Sequence, residues 1–169
     1  MEQALNPSAT AAGEISLCRE FAAPRGLVWK AWTEPAHMMR WWGPRAFTTP
    51  SCEIDLREGG AYLFCMRSPE GQDIWGTGRY LEVVAPERIV CTDSFADAAG
   101  HPVPASHYGM EGDWPLEMRI AVDLAEAGGR TRLTLRHTGF PDGFDRDQTA
   151  QGWDESFDKL AGALREMQG

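Results

Sequence analysis

Residues 145–167 read DRDQTAQGWDESFDKLAGALREM. Trp153, Phe157, Leu160, Ala161 and Leu164 recur there every three to four residues, which places them on one face of an α-helix. Asp145 or Asp147 suits the N-cap, where a carboxylate accepts from the first free N–H groups. The spacing predicts a helix running to about Met167. Gly152 inside it costs about 1 kcal/mol against alanine, and it is read as permitting close packing. No other stretch offers a helix of comparable length, so this one must cover whatever the rest of the chain exposes.

The rest of the chain exposes strands. Ile15, Leu17, Arg19 and Phe21 alternate with polar neighbours over Glu14–Phe21. The same period of two runs through Cys52–Arg57, then Ala61–Arg67, with Tyr62, Phe64 and Met66 on one face. Asp73–Val84 continues the pattern, with Gly76 and Gly78 read as bulge or bend sites, and Arg88–Ser94 follows. Leu116, Met118, Ile120, Val122 and Leu124 face one way in the clearest strand, and Gly128-Gly129 makes a hairpin. Thr131–Thr138 returns with Leu133, Leu135 and His137 in phase. After the first strand, Pro24 opens a short helix. Thr33 and Pro35 open a second, expected to run to Trp42 and to end at Gly43-Pro44.

An antiparallel sheet with one apolar face must bury that face. The fold class is therefore α+β: a curved antiparallel sheet of six to seven strands wrapped around the long C-terminal helix, with two short helices after strand one. Residues 14–169 form one domain, preceded by a disordered tail at 1–13. A concave apolar space is expected between sheet and helix.

The chain has 169 residues and a net charge of −9. That balance disfavours nucleic acid and anionic membrane surfaces, which call for basic patches. No apolar run approaches the ~20 residues of a membrane span, and the first dozen residues lack the features of a signal peptide. Cys18, Cys52, Cys65 and Cys91 are scattered without a CxxC, so buried free thiols and a cytoplasmic location are expected. Phosphate-loop, nucleophile-elbow, dinucleotide and HExxH motifs are absent. No cofactor and no metal are expected, since His101 and His107 fit no compact metal spacing.

The stretches REFAAPRGLVWKAWTEPAHMMRWWGP (19–44), DLREGGAYLFCMRSPEG (55–71), GRYLEVVAPERIV (78–90), LTLRHTGF (133–140) and GWDESFDKLAGAL (152–164) occur in this order. Together they resemble the heat-shock ATPase activator homologues, within the START-related superfamily of helix-grip proteins that includes the polyketide cyclases. The resemblance implies a helix-grip domain with a ligand cavity rather than a shared chemistry. The member that stimulates the chaperone ATPase carries an extra N-terminal domain that these 169 residues do not hold. The segment 94–115 is longer than the family's usual connection. It is read as a lid, because long loops in compact domains are often functional.

The expected cavity wall consists of Trp32, Met38, Trp41, Trp42, Tyr62, Phe64, Met66, Trp75, Met118, Ile120, Leu133, Leu135, His137, Trp153 and Phe157. Aromatic walls with a few polar groups mark small-molecule sites. Trp41 and Trp42 are neighbours about 100° apart on a helix, so they cannot both point inward. One is expected in the core and one at the opening. His137 is read first as a structural histidine that needs a partner, and Arg19 as half of an ion pair at the sheet edge. The leading functional expectation is binding of a small hydrophobic, lipid-like or aromatic molecule. The alternatives are a cyclase-like enzyme using His137 or Tyr62 to move protons, and a co-chaperone-like interaction module. Catalysis is the lesser expectation, and a homodimer through Trp41, Trp42 or the long loop is left open.

Overall fold

Alternation of side chains produces the first strand, β1 (Glu14–Phe21), in which Ile15, Leu17, Arg19 and Phe21 are the buried residues. In the computed structural model, which describes residues 13–169, β1 is followed by α1 (Arg25–Thr33) and α2 (Pro35–Met38). Then come β2 (Thr48–Ile54), β3 (Ala61–Arg67), β4 (Asp73–Val84), β5 (Arg88–Ala96), β6 (Met118–Ala127), β7 (Arg130–Thr138) and α3 (Arg146–Gln168). The expected disordered tail lies outside the described residues except for Gly13, whose carbonyl accepts from the N–H groups of Gly139 and Phe140 at 3.0 Å.

The strands form one seven-stranded sheet in the order β1-β7-β6-β5-β4-β3-β2. Every pairing is antiparallel. β1 lies on the far side of β7, at the sheet edge, and α3 packs on β1 and α1. The Asp145 carboxylate caps α3 by accepting from the Gln148 N–H at 3.0 Å. The buried face of α3 carries Phe157, Leu160, Ala161 and Leu164. These join Leu17, Phe21, Leu133 and Leu135 in the core.

Polar ties fix the helix on the sheet. Arg19 reaches across to Asp158 at 2.9 Å and also contacts Asp154. This is the edge-strand ion pair read from the phase of Arg19. The Lys159 ammonium donates to the carbonyls of Pro44 and Phe47 at 3.1 and 3.0 Å, which pins the segment after α2.

Several boundaries differ from the sequence reading. α2 ends at Met38, and the chain continues to Trp42 in turns closed by Trp41 N–H and Trp42 N–H on the Met38 carbonyl. β2 begins at Thr48 and stops at Ile54, because Asp55 to Gly60 fold into a turn. β6 starts at Met118, and Leu116 lies outside it, 55% exposed. Gly76 and Gly78 are not the bulge in β4, which falls between Tyr80 and Glu82. They admit aromatic rings instead. A Cβ on Gly76 would sit 2.5 Å from the Phe64 ring, and one on Gly78 would sit 2.6 Å from the Tyr62 hydroxyl.

Candidate functional site

The turn after α2 brings Trp42 against the first half of α3, while β3 to β7 curve beneath both. Between these parts lies a cavity of about 330 Å³. The sheet contributes Phe64, Met66, Ile74, Trp75, Asp93, Phe95, Met118, Ile120 and His137 to its wall. α3 contributes Gln148, Thr149, Gly152, Trp153 and Ser156. Met110, Trp114, Pro115 and Leu116 of the long segment between β5 and β6 close one side. Known ligand pockets start at about this size and are similarly apolar.

That long segment is held down. The Tyr108 hydroxyl donates to the Ala96 carbonyl and accepts from the Trp75 N–H at 3.1 Å. Val103 N–H donates to the Phe95 carbonyl at 2.9 Å. The Trp114 indole donates to the Glu111 carbonyl at 2.9 Å, and its ring packs edge-on to Phe140. The segment therefore sits over the cavity as a cover whose inner surface is Met110 and Trp114. His101 makes its contact outside, on Asp97, and His107 packs against the Tyr108 ring.

Eight residues read from phase lie on this wall: Trp42, Phe64, Met66, Trp75, Met118, Ile120, His137 and Trp153. Trp32, Met38 and Tyr62 do not. They line a smaller inner space of about 30 Å³, which shares Trp42, Phe64 and Ile120 with the main cavity. Trp41, Leu133, Leu135 and Phe157 line neither space, because they are fully buried in the solid core. The Trp41-Trp42 pair divides into one core and one cavity residue, although both lie in the turns after α2 rather than on a helix. Trp41 is fully buried with its indole N–H on the Ala31 carbonyl at 2.9 Å, and Trp42 is the partly exposed member at the cavity.

One polar chain interrupts the apolar wall. His137 on β7 and Asp93 on β5 are separated by β6, where Ile120 pairs with His137 and Met118 with Asp93. Strands lie about 4.8 Å apart, so the two side chains lean together over β6 until His137 Nε2 and Asp93 Oδ2 are 3.0 Å apart. The Trp153 indole N–H donates to His137 Nδ1 at 3.2 Å. His137 is thus satisfied on both nitrogens. Asp93 was not among the residues selected from sequence, although it stands in phase with Ile89 and Cys91, both buried. A carboxylate in that phase is the signal that marks it. Trp114 and Phe140 were missed as well, since no strand or helix period points to residues on connecting segments.

Tyr62 is not placed for proton transfer in the main cavity. Its hydroxyl donates to the Thr92 carbonyl at 2.6 Å, and burial holds the phenol well above its ordinary range. The four cysteines are free, with Cys65 and Cys91 buried and Cys18 and Cys52 partly exposed. Burial pushes the Cys52 thiol up to about 11 and the Cys91 thiol up to about 12. Neither is a ready nucleophile, since the thiolate is the reactive form. Among the described residues no helix is long and apolar enough to cross a membrane.

Residues 22–165 match the family model described as activator of Hsp90 ATPase homolog 1-like protein. Protein CV1439 from Chromobacterium violaceum is 30% identical, covering 91% of this chain and 98% of its own, with a TM-score of 0.73. Protein NE0264 from Nitrosomonas europaea is 25% identical over 94% of this chain and 99% of its own, with a TM-score of 0.75. The AHSA1 protein from Silicibacter pomeroyi shares the fold at 24% identity, with a TM-score of 0.71 over 91% of this chain and 99% of its own. No curated protein matches the chain.

Proposed function

The chain belongs to the activator of Hsp90 ATPase homolog 1-like protein family, and from that premise we propose that it binds a small hydrophobic molecule, lipid-like or aromatic, between the sheet and α3. The observation that carries this reading is the cavity of about 330 Å³ walled by aromatic and methionine side chains. Burial supplies the affinity at about 25 cal/mol per Å² of apolar surface removed from water. Met66, Met110 and Met118 add adaptable walls, because thioether side chains change shape at little cost. The exposed Leu116 at the rim and the partly exposed Trp42 mark the way in. Four free cysteines support a reducing, cytoplasmic setting.

The hydrogen-bonded Asp93 and His137 on the wall favour one second reading, an enzyme that moves a proton within the same cavity. The two readings separate on His137→Ala. A binding protein keeps its ligand with modest change, whereas a proton-transfer enzyme loses rate about 10²-fold or more.

Titration with 3-phenylpropanol, followed by ¹H–¹⁵N NMR, tests the binding reading. The expected result is saturable shifts concentrated at the cavity-lining amides of Gly76, Ser94 and Gly152. Shifts that are absent, or scattered over the outer face of the sheet, count against it.

A further inference from the structure

The cavity holds one charge, and its partner determines what the ligand can be. An indole N–H is a donor only. Because Trp153 Nε1 lies 3.2 Å from His137 Nδ1, that nitrogen accepts and carries no proton. The ring proton is then on Nε2, donated to Asp93 Oδ2 at 3.0 Å. His137 is a neutral imidazole that orients Asp93 without neutralising it. Among the described residues on the cavity wall there is no lysine or arginine, and Asp93 is the only carboxylate.

The Asp93 side chain is 19% exposed, so solvent reaches it in the open cavity. A purely apolar ligand would displace that water and strand a carboxylate in apolar surroundings, which is costly. A cation would instead replace the water. Aromatic rings on the same wall suit one. Phe140 stands 4.5 Å from the His137 ring, Trp114 stands 5.9 Å from Phe140, and Trp42 stands 5.5 Å from Trp153, centroid to centroid. Ring faces attract ammonium groups, most strongly where water is excluded. The net charge of −9 adds a long-range field that draws cations.

We propose that the ligands of this cavity are hydrophobic amines: an ammonium group bound to Asp93 and an aromatic or aliphatic body among Trp42, Trp114, Phe140 and Trp153. This rests on the ligand-binding reading above and specifies the ligand's head group. Uncharged lipids and hydrocarbons of the same size are the poorer ligands.

Isothermal titration calorimetry with 3-phenylpropylamine and 3-phenylpropanol tests the proposal on the intact protein. The amine is expected to bind about tenfold tighter or more. In Asp93→Asn, which keeps an oxygen for the His137 N–H, the two probes should bind alike. Equal binding of both probes to the unaltered protein overturns the amine inference and leaves the cavity reading standing. So does an amine preference that survives Asp93→Asn. Binding of neither probe overturns both. ¹⁵N NMR of the His137 ring in the unaltered protein gives a check free of any variant. A bare Nδ1 and a protonated Nε2 are expected, and a doubly protonated ring, which would already neutralise Asp93, overturns the proposal.

Discussion

Asp93 and His137 meet only because β5 and β7 flank β6 at a fixed spacing, and a third residue, Trp153 of α3, decides which nitrogen of the ring carries the proton. No single stretch of sequence contains this arrangement. The buried thiols are a residue-scale feature with a measurable consequence. Cys52 and Cys91 hold their protons up to about 11 and 12, against an ordinary 9.0. Burial raises Cys65, Tyr62 and Tyr80 in the same direction. A group that binds its proton more tightly when folded stabilises the fold below its unfolded pKa, and that contribution is lost as pH climbs through the folded one. Lys159 acts in the opposite sense, since burial lowers it and folding gains as it loses its proton. Five groups oppose one, so the urea midpoint is expected to fall between about pH 8 and about pH 10.5. A midpoint that holds or rises over that range would contradict the burial assigned to these side chains.

At the scale of elements, the long helix and the β6–β7 hairpin were readable because their signals are local. Asp145 caps, Phe157 and Leu160 repeat, and Gly128 and Gly129 take the positive φ values of 61° and 76° that a tight turn needs. The end of α2 and the start of β6 were not, because tertiary contacts decide them. Period two told which face of a strand turns inward. It did not tell what covers that face, so Leu135 and His137 looked equivalent, yet one is solid core and the other lines the cavity. Gly152 illustrates the same limit. The sequence reading has it permitting close packing, but a Cβ there would meet only Pro44 Cγ at 3.8 Å, an ordinary contact. Gly152→Ala is therefore expected to stabilise the protein by up to about 1 kcal/mol, through the helix preference for alanine. Chemical denaturation reads this directly, and a clear loss of stability would show that the helix does need the glycine.

For the molecule as a whole, the turn after α2, the sheet, α3 and the β5–β6 segment each supply one side of a space that none of them encloses alone. Its main aromatic members were legible from phase and its cover from the length of the 94–115 segment, whereas its charge and the inward place of Trp114 were not, because Asp93 and Trp114 acquire their meaning from neighbours distant in sequence. The sheet and helix account for the fold, and the unfilled volume between them accounts for the function proposed. Native mass spectrometry of freshly purified protein, with solvent extraction of whatever it releases, tests that claim most directly. The prediction is a defined extra mass of a small hydrophobic molecule, lost on extraction and restored when the extract is added back. A clean mass of the chain alone that no hydrophobic extract or amine probe shifts would contradict it, and the space would then be an imperfection of packing rather than a binding site.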